Sequence, residues 1–398
     1  MARRAHKSSR SDKRRAVAGG VHEALPALSS LSELPAYTEL SASDRQRSAF
    51  EQEADRAVAA GEARREELDL GCVARLDRGF PAVITPRGVY RTEFAASLTK
   101  GDDNSRAAVG DWVCARRPAG HDMGILCKIL PRESDIARWK GGSRGERQTL
   151  AANVDVVLVT QALGPGPIST DRVVRSTVIA RDCGADIAVV LTKADRAGAS
   201  MLQTDVALIQ GVLGRGVRIV ATSAGATGRR AMADLMDAAG RCGSGWGEDD
   251  VRHLVPAGTV AIVLGESGAG KSTLLNALLG REALETGAVR TSDDMGRHTT
   301  VARRMVSLPG AGVIVDEPGL RSLPLVGHER GLAKVFPEIS EAARTCRFRD
   351  CTHTHEPGCG VRSAFAAGEF SKERLDAYVS LAAEMRASAK TLDPDVVL

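Results

Sequence analysis

"LTKAD", residues 191–195, and "GESGAGKST", residues 265–273, decide the fold by the order in which they occur. The first has the form of a guanine-reading loop. Lys193 would lie along the purine plane, and Asp195 would accept the two N–H groups of guanine's edge in charge-assisted hydrogen bonds. The second matches G-x-x-x-x-G-K-[ST] in full, through Gly265, Gly270, Lys271 and Ser272. In the usual arrangement a phosphate loop precedes the base-reading loop. Here it follows, seventy residues on, from 195 to 265.

The surroundings of the second stretch are those a phosphate loop needs. An apolar run, "GTVAIVLGESG" (258–268), leads in, and a helical "TLLNALLG" follows. Backbone N–H groups of Gly265, Glu266, Ser267, Gly268, Ala269 and Gly270 are expected to curl around phosphate oxygens, helped by the positive end of the helix. Lys271 is expected to bridge the β- and γ-phosphates as a catalytic cation, Ser272 to ligate Mg²⁺, and Thr273 to flank them. "GVIVDEPG" (312–319) supplies a strand ending in Asp316, a carboxylate for the Mg²⁺ shell. Gly319 then offers an N–H to sense the γ-phosphate. "GRHTT" (296–300) lies between loop and carboxylate, where a switch threonine completes the Mg²⁺ coordination. Either Thr299 or Thr300 fits.

A second guanine signal answers the question of order. "VATSA" (220–224) closes the apolar run after "LTKAD", so Ser223 and Ala224 are expected beside Thr192, Lys193 and Asp195 at one sheet edge. Two such signals in the right relative order imply that the parts are circularly permuted, guanine elements first and phosphate elements second. Permutation is physically cheap, because domain termini commonly lie close together. It also joins the γ-phosphate-sensing segment directly to whatever follows Gly319.

The wider chain divides by texture. With 398 residues, 43% hydrophobic, it is long enough for two or three domains. Aromatics are only 3%, so cores must be built from Ala, Val, Leu and Ile. The net charge of +4 says little about nucleic acid. No apolar run reaches the ~18 residues of a membrane span, and the basic "MARRAHKSSRSDKRR" has no apolar signal core. Residues 1–65 read as a charged extension, largely disordered, in which 42–68 forms a helix or stays loose. Residues 66–135 carry short β-rich pieces between Gly, Pro and Asp, the texture of a small barrel. An OB-like barrel fits, and an SH3-like one is not separated from it. Residues 148–325 alternate buried strands with helical segments: "VDVVLVTQA" (154–162), "ADIAVVLTKAD" (185–195), "VRIVATSA" (217–224), and the two runs already quoted. That is a mostly parallel α/β sheet. Residues 326–398 read as helical around a cysteine cluster.

In that cluster, "CRFRDCTHTHEPGC" places Cys346, Cys351, His353 and Cys359 within fourteen residues. Three thiolates and an imidazole complete a tetrahedral zinc set with no open position, hence a structural Zn²⁺. His355 competes for the imidazole place. Five further cysteines are scattered without a disulfide rhythm, which favours a reducing, cytoplasmic setting.

Together these residues resemble the circularly permuted GTPases of the ribosome small-subunit-dependent GTPase A family. The resemblance runs from about 69 to 385, through "QTLAANVDVVLV", "LTKAD", "GESGAGKSTLLNALLG", "GRHTT", "DEPGLRSL", "FPEI", "CRFRDCTH", "EPGC" and "GEFSKERLDAYVSL". It implies an N-terminal OB-fold, a central permuted G domain and a C-terminal zinc domain. It also implies GTP hydrolysis stimulated by the small ribosomal subunit during late maturation, contacts to 16S rRNA, and no membrane. The chain is expected to act as a monomer. Thr192 departs from the Asn usual in guanine loops, Glu317 and Val301 from threonines common in the family, and the leader is long. Where many small GTPases carry a water-orienting Gln, this chain has Leu320. His298 is the in-chain candidate to replace it.

Three rival readings frame this one. A permuted GTPase of the large subunit fits less well, given a zinc knuckle after the switch and a barrel before the guanine loop. A nucleotide-regulated RNA-binding module would hydrolyse only incidentally. An ABC-type ATPase would need an LSGGQ-like signature, which the sequence lacks.

Overall fold

The computed structural model describes residues 34–77, 80–99, 106–140, 146–224, 226–239, 243–280, 303–316, 325 and 327–392. The chain order begins with helix α1 (Asp44–Ala59). Ser43 accepts a hydrogen bond from the Gln46 amide at 3.2 Å, and the Gln46 side chain accepts one from the Ser43 amide at 2.9 Å. This reciprocal cap fixes where the helix starts. Phe50, Ala54 and Ala57 form its buried face. Glu53 is buried with them, and Arg56 and Lys128 pair with it at 2.6 and 2.7 Å. Of the two alternatives left open for 42–68, the helix is the one seen, over 44–59, because its buried stripe finds the barrel to cover. Residues 1–33 lie outside the described residues.

Strands β1 (Leu68–Asp77), β2 (Phe80–Thr85), β3 (Gly88–Phe94), β4 (Trp112–Arg116) and β5 (Gly124–Ile129) form the barrel, with a single turn of helix α2 (Ala96–Thr99) after β3. The order β1-β2-β3-β5-β4 closes because β4 also pairs with β1, and β3 runs parallel to β5. That closure selects the OB-like alternative over the SH3-like one. Gly71 lets β1 coil across the interior, since a Cβ there would meet the Val83 side chain at 2.4 Å.

Strands β6 (Asp135–Lys140) and β7 (Glu146–Ala152) form a separate hairpin. It bridges the stretch between 135 and 148 to which the sequence reading assigned no element.

The α/β sheet follows. Its elements are β8 (Val156–Ala162), α3 (Thr170–Asp182), β9 (Asp186–Thr192), α4 (Ala199–Leu213), β10 (Arg218–Ala221), α5 (Ala226–Ala239), β11 (Gly245–Trp246), α6 (Gly247–His253), β12 (Val260–Leu264), α7 (Lys271–Leu279), β13 (Arg303–Ser307) and β14 (Val313–Asp316). Across the sheet the order is β11-β10-β9-β8-β12-β14-β13. The early strands wind outward from β8. The chain then returns to the middle with β12 and fills the other side. Ala261 to Leu264 of β12 pair in parallel with Val156 to Val159 of β8, so the two halves meet as neighbouring parallel strands. Asp155 stitches this seam at its other end, where its carboxylate accepts the Val260 amide at 2.7 Å. The crevice of an open sheet forms at the carboxyl ends where winding reverses, here between β8 and β12. Only β13 is antiparallel, and it pairs with β1, which joins the barrel to the sheet.

The C-terminal part contains α8 (Glu329–Val335), α9 (Pro337–Ala343), α10 (Gly360–Ala366) and α11 (Lys372–Leu392). Phe336 is fully buried at its centre, edge-on to Tyr378 at 5.8 Å, with the Arg374 guanidinium 5.0 Å above its ring. This part docks on α3. Asp182 accepts from His328 Nδ1 at 2.8 Å and from the Gly331 amide at 3.1 Å. Gly331 permits that approach, for a Cβ would stand 2.1 Å from the Val178 carbonyl.

Candidate functional site

The phosphate loop leaves β12 at Leu264 and enters α7 at Lys271. Gly265 sits against β8, where a Cβ would lie 2.0 Å from Thr160 Oγ1 and 2.7 Å from the Thr160 carbonyl. Gly268 and Gly270 both have positive φ, +81° and +82°. A side chain at either position would be strained. Lys271 Nζ donates to the carbonyls of Gly265 at 2.5 Å and Glu266 at 2.9 Å, which holds the loop curled over the helix N-terminus. Ser272 and Thr273 follow in the first turn, where the helix end favours anions.

The residues expected to read the base converge on this loop from the ends of β9 and β10, beyond β8 in the sheet. Thr192 ends β9, and its hydroxyl donates to the Ala269 carbonyl at 2.6 Å. Lys193 takes a left-handed backbone, φ 55°, and its ammonium donates to the Gly268 carbonyl at 2.6 Å. Thr192 thus makes one of the links between the loops that an Asn amide would make at this position. Ser223, past the end of β10, donates its hydroxyl to Asp195 Oδ1. Thr192, Lys193, Asp195, Ser223, Ala224, Gly270 and Thr273 line one cavity of about 220 Å³.

Arg196, Thr222 and Glu248 line it too, and sequence reasoning did not find them. Arg196 adjoins "LTKAD" and Thr222 lies within "VATSA", so both were legible by position though given no role. Glu248, in the first turn of α6, carries no motif.

Asp316 ends β14, which is the parallel neighbour of β12, so it emerges at the same sheet edge as the phosphate loop. Burial pushes its carboxyl up, and Arg304, 3.9 Å away across the β13–β14 pair, opposes that. A Ser hydroxyl in the first turn of α7 and a carboxylate at the end of β14 are the kinds of oxygen donor that Mg²⁺ takes beside phosphate oxygens. His298, Thr299, Thr300 and Gly319 lie outside the described residues, as do Val301, Glu317 and Leu320.

The cysteine loop between α9 and α10 gathers four donors. The Cys346, Cys351, His353 and Cys359 ligand atoms all lie within 4.8 Å of one another. The Cys346 and Cys359 sulfurs are 3.9 Å apart, and His353 Nδ1 stands 3.6 and 3.5 Å from them. A zinc tetrahedron with Zn–S of ~2.3 Å and Zn–N of ~2.05 Å has edges of about 3.8 and 3.5 Å, so the set fits the ion. His355 is exposed and hydrogen-bonds Thr354, outside the group. The competition between the two imidazoles therefore falls to His353.

Glu356, which the sequence reading passed over, organises the loop. Its carboxylate accepts from the amides of Thr352, Thr354 and His355 at 2.9, 3.1 and 3.2 Å. The Thr352 hydroxyl, with the Thr352 and His355 amides, holds its carboxyl well below the usual range.

With this geometry in place, comparison with known proteins is informative. The RsgA GTPase family model matches residues 129–326. The small ribosomal subunit biogenesis GTPase RsgA of Streptomyces avermitilis is 41% identical over 327 residues, 82% of each chain. The crystal structure of YjeQ from Thermotoga maritima superposes with a TM-score of 0.58 at 23% identity, covering 80% of this chain and 99% of that one. YloQ, described as a circularly permuted GTPase, gives 0.55 at 22%, covering 81% and 96%. The two solved structures share the fold. Identity of 41% over four-fifths of both chains goes further, and the chain belongs to the RsgA GTPase family.

Proposed function

We propose that this chain hydrolyses GTP with Mg²⁺ and that the reaction serves late maturation of the small ribosomal subunit, which stimulates it. One observation carries the nucleotide half. Thr192 and Lys193 tie the base-reading loop onto the carbonyls of Ala269 and Gly268, so base and phosphate elements form one continuous edge. Asp195 selects guanine, the backbone of 265–270 and Lys271 hold the phosphates, and Ser272 and Asp316 carry the metal shell with Thr299 or Thr300. Gly319 senses the γ-phosphate. Mg²⁺ would neutralise charge developing on the transferred phosphoryl group.

The partner half rests on the relatives, which are named for small-subunit biogenesis. Contact with 16S rRNA, monomeric action and a cytoplasmic place belong to the same reading. Among the described residues no helix is long and apolar enough to cross a membrane. One Zn²⁺ held by Cys346, Cys351, His353 and Cys359 shapes the C-terminal domain.

Leu320 cannot orient a water, so basal turnover is slow, and His298 supplies the missing polar group when the subunit is bound. Turnover is expected to rise strongly with small subunits and little with large ones. His298→Ala is expected to lose about 100-fold of the stimulated rate at nearly unchanged GTP affinity. A wild type indifferent to small subunits sinks the ribosomal reading. A variant stimulated like the wild type removes His298 alone.

A further inference from the structure

The cysteine loop carries one feature that metal binding does not use. Phe348 stands between Arg347 and Arg349, in the stretch separating Cys346 from Cys351, and is 42% exposed. Phe80 and Phe365 are exposed to similar degrees, 41% and 36%, but neither has an arginine on both sides in the chain, as Phe348 has. The loop beneath it is held at several points. Cys346 and Cys351 belong to the metal-ligand set. The Arg347 amide donates to the Gly358 carbonyl at 3.0 Å, and the Arg347 stem lies against Gly358. The Arg347 guanidinium sits 5.6 Å from the centre of the Phe348 ring.

The surrounding charge is uncommitted. Arg344 is engaged with Glu341 at 2.9 Å, but among the described residues neither Arg347 nor Arg349 pairs with a carboxylate. Asp350 subtracts one charge, and the exposed Arg362 of α10 returns one.

A protein partner docks on a contiguous apolar patch. This ring is flanked by charged side chains instead. An aromatic platform with unpaired guanidinium groups beside it suits single-stranded nucleic acid, where a base stacks on the ring and cations meet the phosphates. Bases in a duplex are already stacked and cannot reach it.

We propose that Phe348, flanked by Arg347 and Arg349, is a stacking platform for an unpaired RNA base. The choice of RNA over DNA rests on the proposed ribosomal function. The platform itself rests on the loop.

The test uses the full chain with equimolar zinc and a fluorescent twelve-nucleotide oligouridylate, with an RNA duplex of equal length as control. Phe348→Ala is expected to weaken single-strand binding about tenfold. Phe348→Tyr should bind like the wild type and Phe348→Leu like Phe348→Ala. Arg349→Ala should lower the slope of log affinity against log salt by about 0.7. Equal binding by the Leu variant and the wild type would overturn stacking and point to a protein-docking contact. Wild-type preference for the duplex would overturn it as well. Should the Ala variant lose zinc, the comparison of Tyr with Leu decides. Subunit-stimulated GTP turnover of the wild type, measured alongside, reports separately on the ribosomal reading.

Discussion

The cavity proposed to read guanine draws Thr192, Asp195, Ser223 and Gly270 from the ends of three strands, while the cysteine loop takes its four candidate ligands from fourteen residues between two short helices. The first is scaffolded by the sheet. β9, β10 and β12 are built of buried Val, Ile, Leu and Ala, and they hold their loops whether or not any one polar group is present. Among the described residues the second has no sheet beneath it. Its donors converge on a point, and Glu356 is the main polar group bracing the turn between them. Removing a side chain from the first should therefore change binding and spare the fold. Removing one from the second should change the fold itself.

The largest expected effect is on the cysteine loop. Cys351→Ser should abolish the binding of one Zn²⁺ per chain and loosen α9 to α11, because for such sites metal binding free energy, roughly 10 kcal/mol or more, is folding free energy. His355→Ala should keep its zinc. Metal analysis and hydrogen exchange of both variants check this. Full zinc in Cys351→Ser, with loss in His355→Ala, would mean the ligand set is wrong.

Next is Asp195→Asn, which should bind GTP about 100-fold more weakly as two charge-assisted bonds are lost. It should gain affinity for xanthosine triphosphate, whose O2 can accept from the new amide, and melt like the wild type. Unchanged GTP binding would displace the guanine site. A large drop in melting temperature would erase the contrast between the two regions.

Thr192→Val sharpens the comparison inside the nucleotide edge. It keeps shape and removes the donor to Ala269, so GTP affinity should fall about tenfold while the fold stays intact. Titration calorimetry reads the difference, and equal affinities would show that Lys193 alone links the loops.

The smallest effect tests the joint between the two regions, where Asp182 meets His328. Burial pushes the Asp182 carboxyl up, but His328, Arg330 and the Gly331 amide outweigh that and hold it below the usual aspartate range. A depressed carboxyl contributes stability that is present above the unfolded value, ~3.9, and fades as pH falls through the folded value. Asp182→Asn should be less stable than the wild type by about 1 kcal/mol at pH 7. That gap should narrow below about pH 4. Urea unfolding at several pH values measures it, and a gap that does not narrow in acid would remove the ionised carboxylate from the joint.

The sequence by itself determined the chemistry that sits in contiguous residues. The phosphate loop, "LTKAD", "TSA" and the cysteine spacing were legible, because each is a local arrangement in which neighbouring residues must cooperate over a few ångströms. Their order gave the permutation, and apolar runs gave five of the strands. β11, β13, β6 and β7 were missed. β11 is two residues long, β13 is the polar-rich "RRMVS", and the hairpin opens on charged residues, so none shows a buried run. Tertiary structure alone decided which imidazole joins the cysteines. The left-handed turn at His353, φ 64°, belongs to a loop that brings three thiols together around it, and spacing does not encode that. It alone brought Glu248 to the guanine cavity and Asp182 to His328, pairings across 146 residues in the latter case. It also decided that 44–59 is a docked helix and not a loose stretch. A weak amphipathic stripe becomes ordered only when a partner surface removes it from water, and that surface, the barrel, lies elsewhere in the chain.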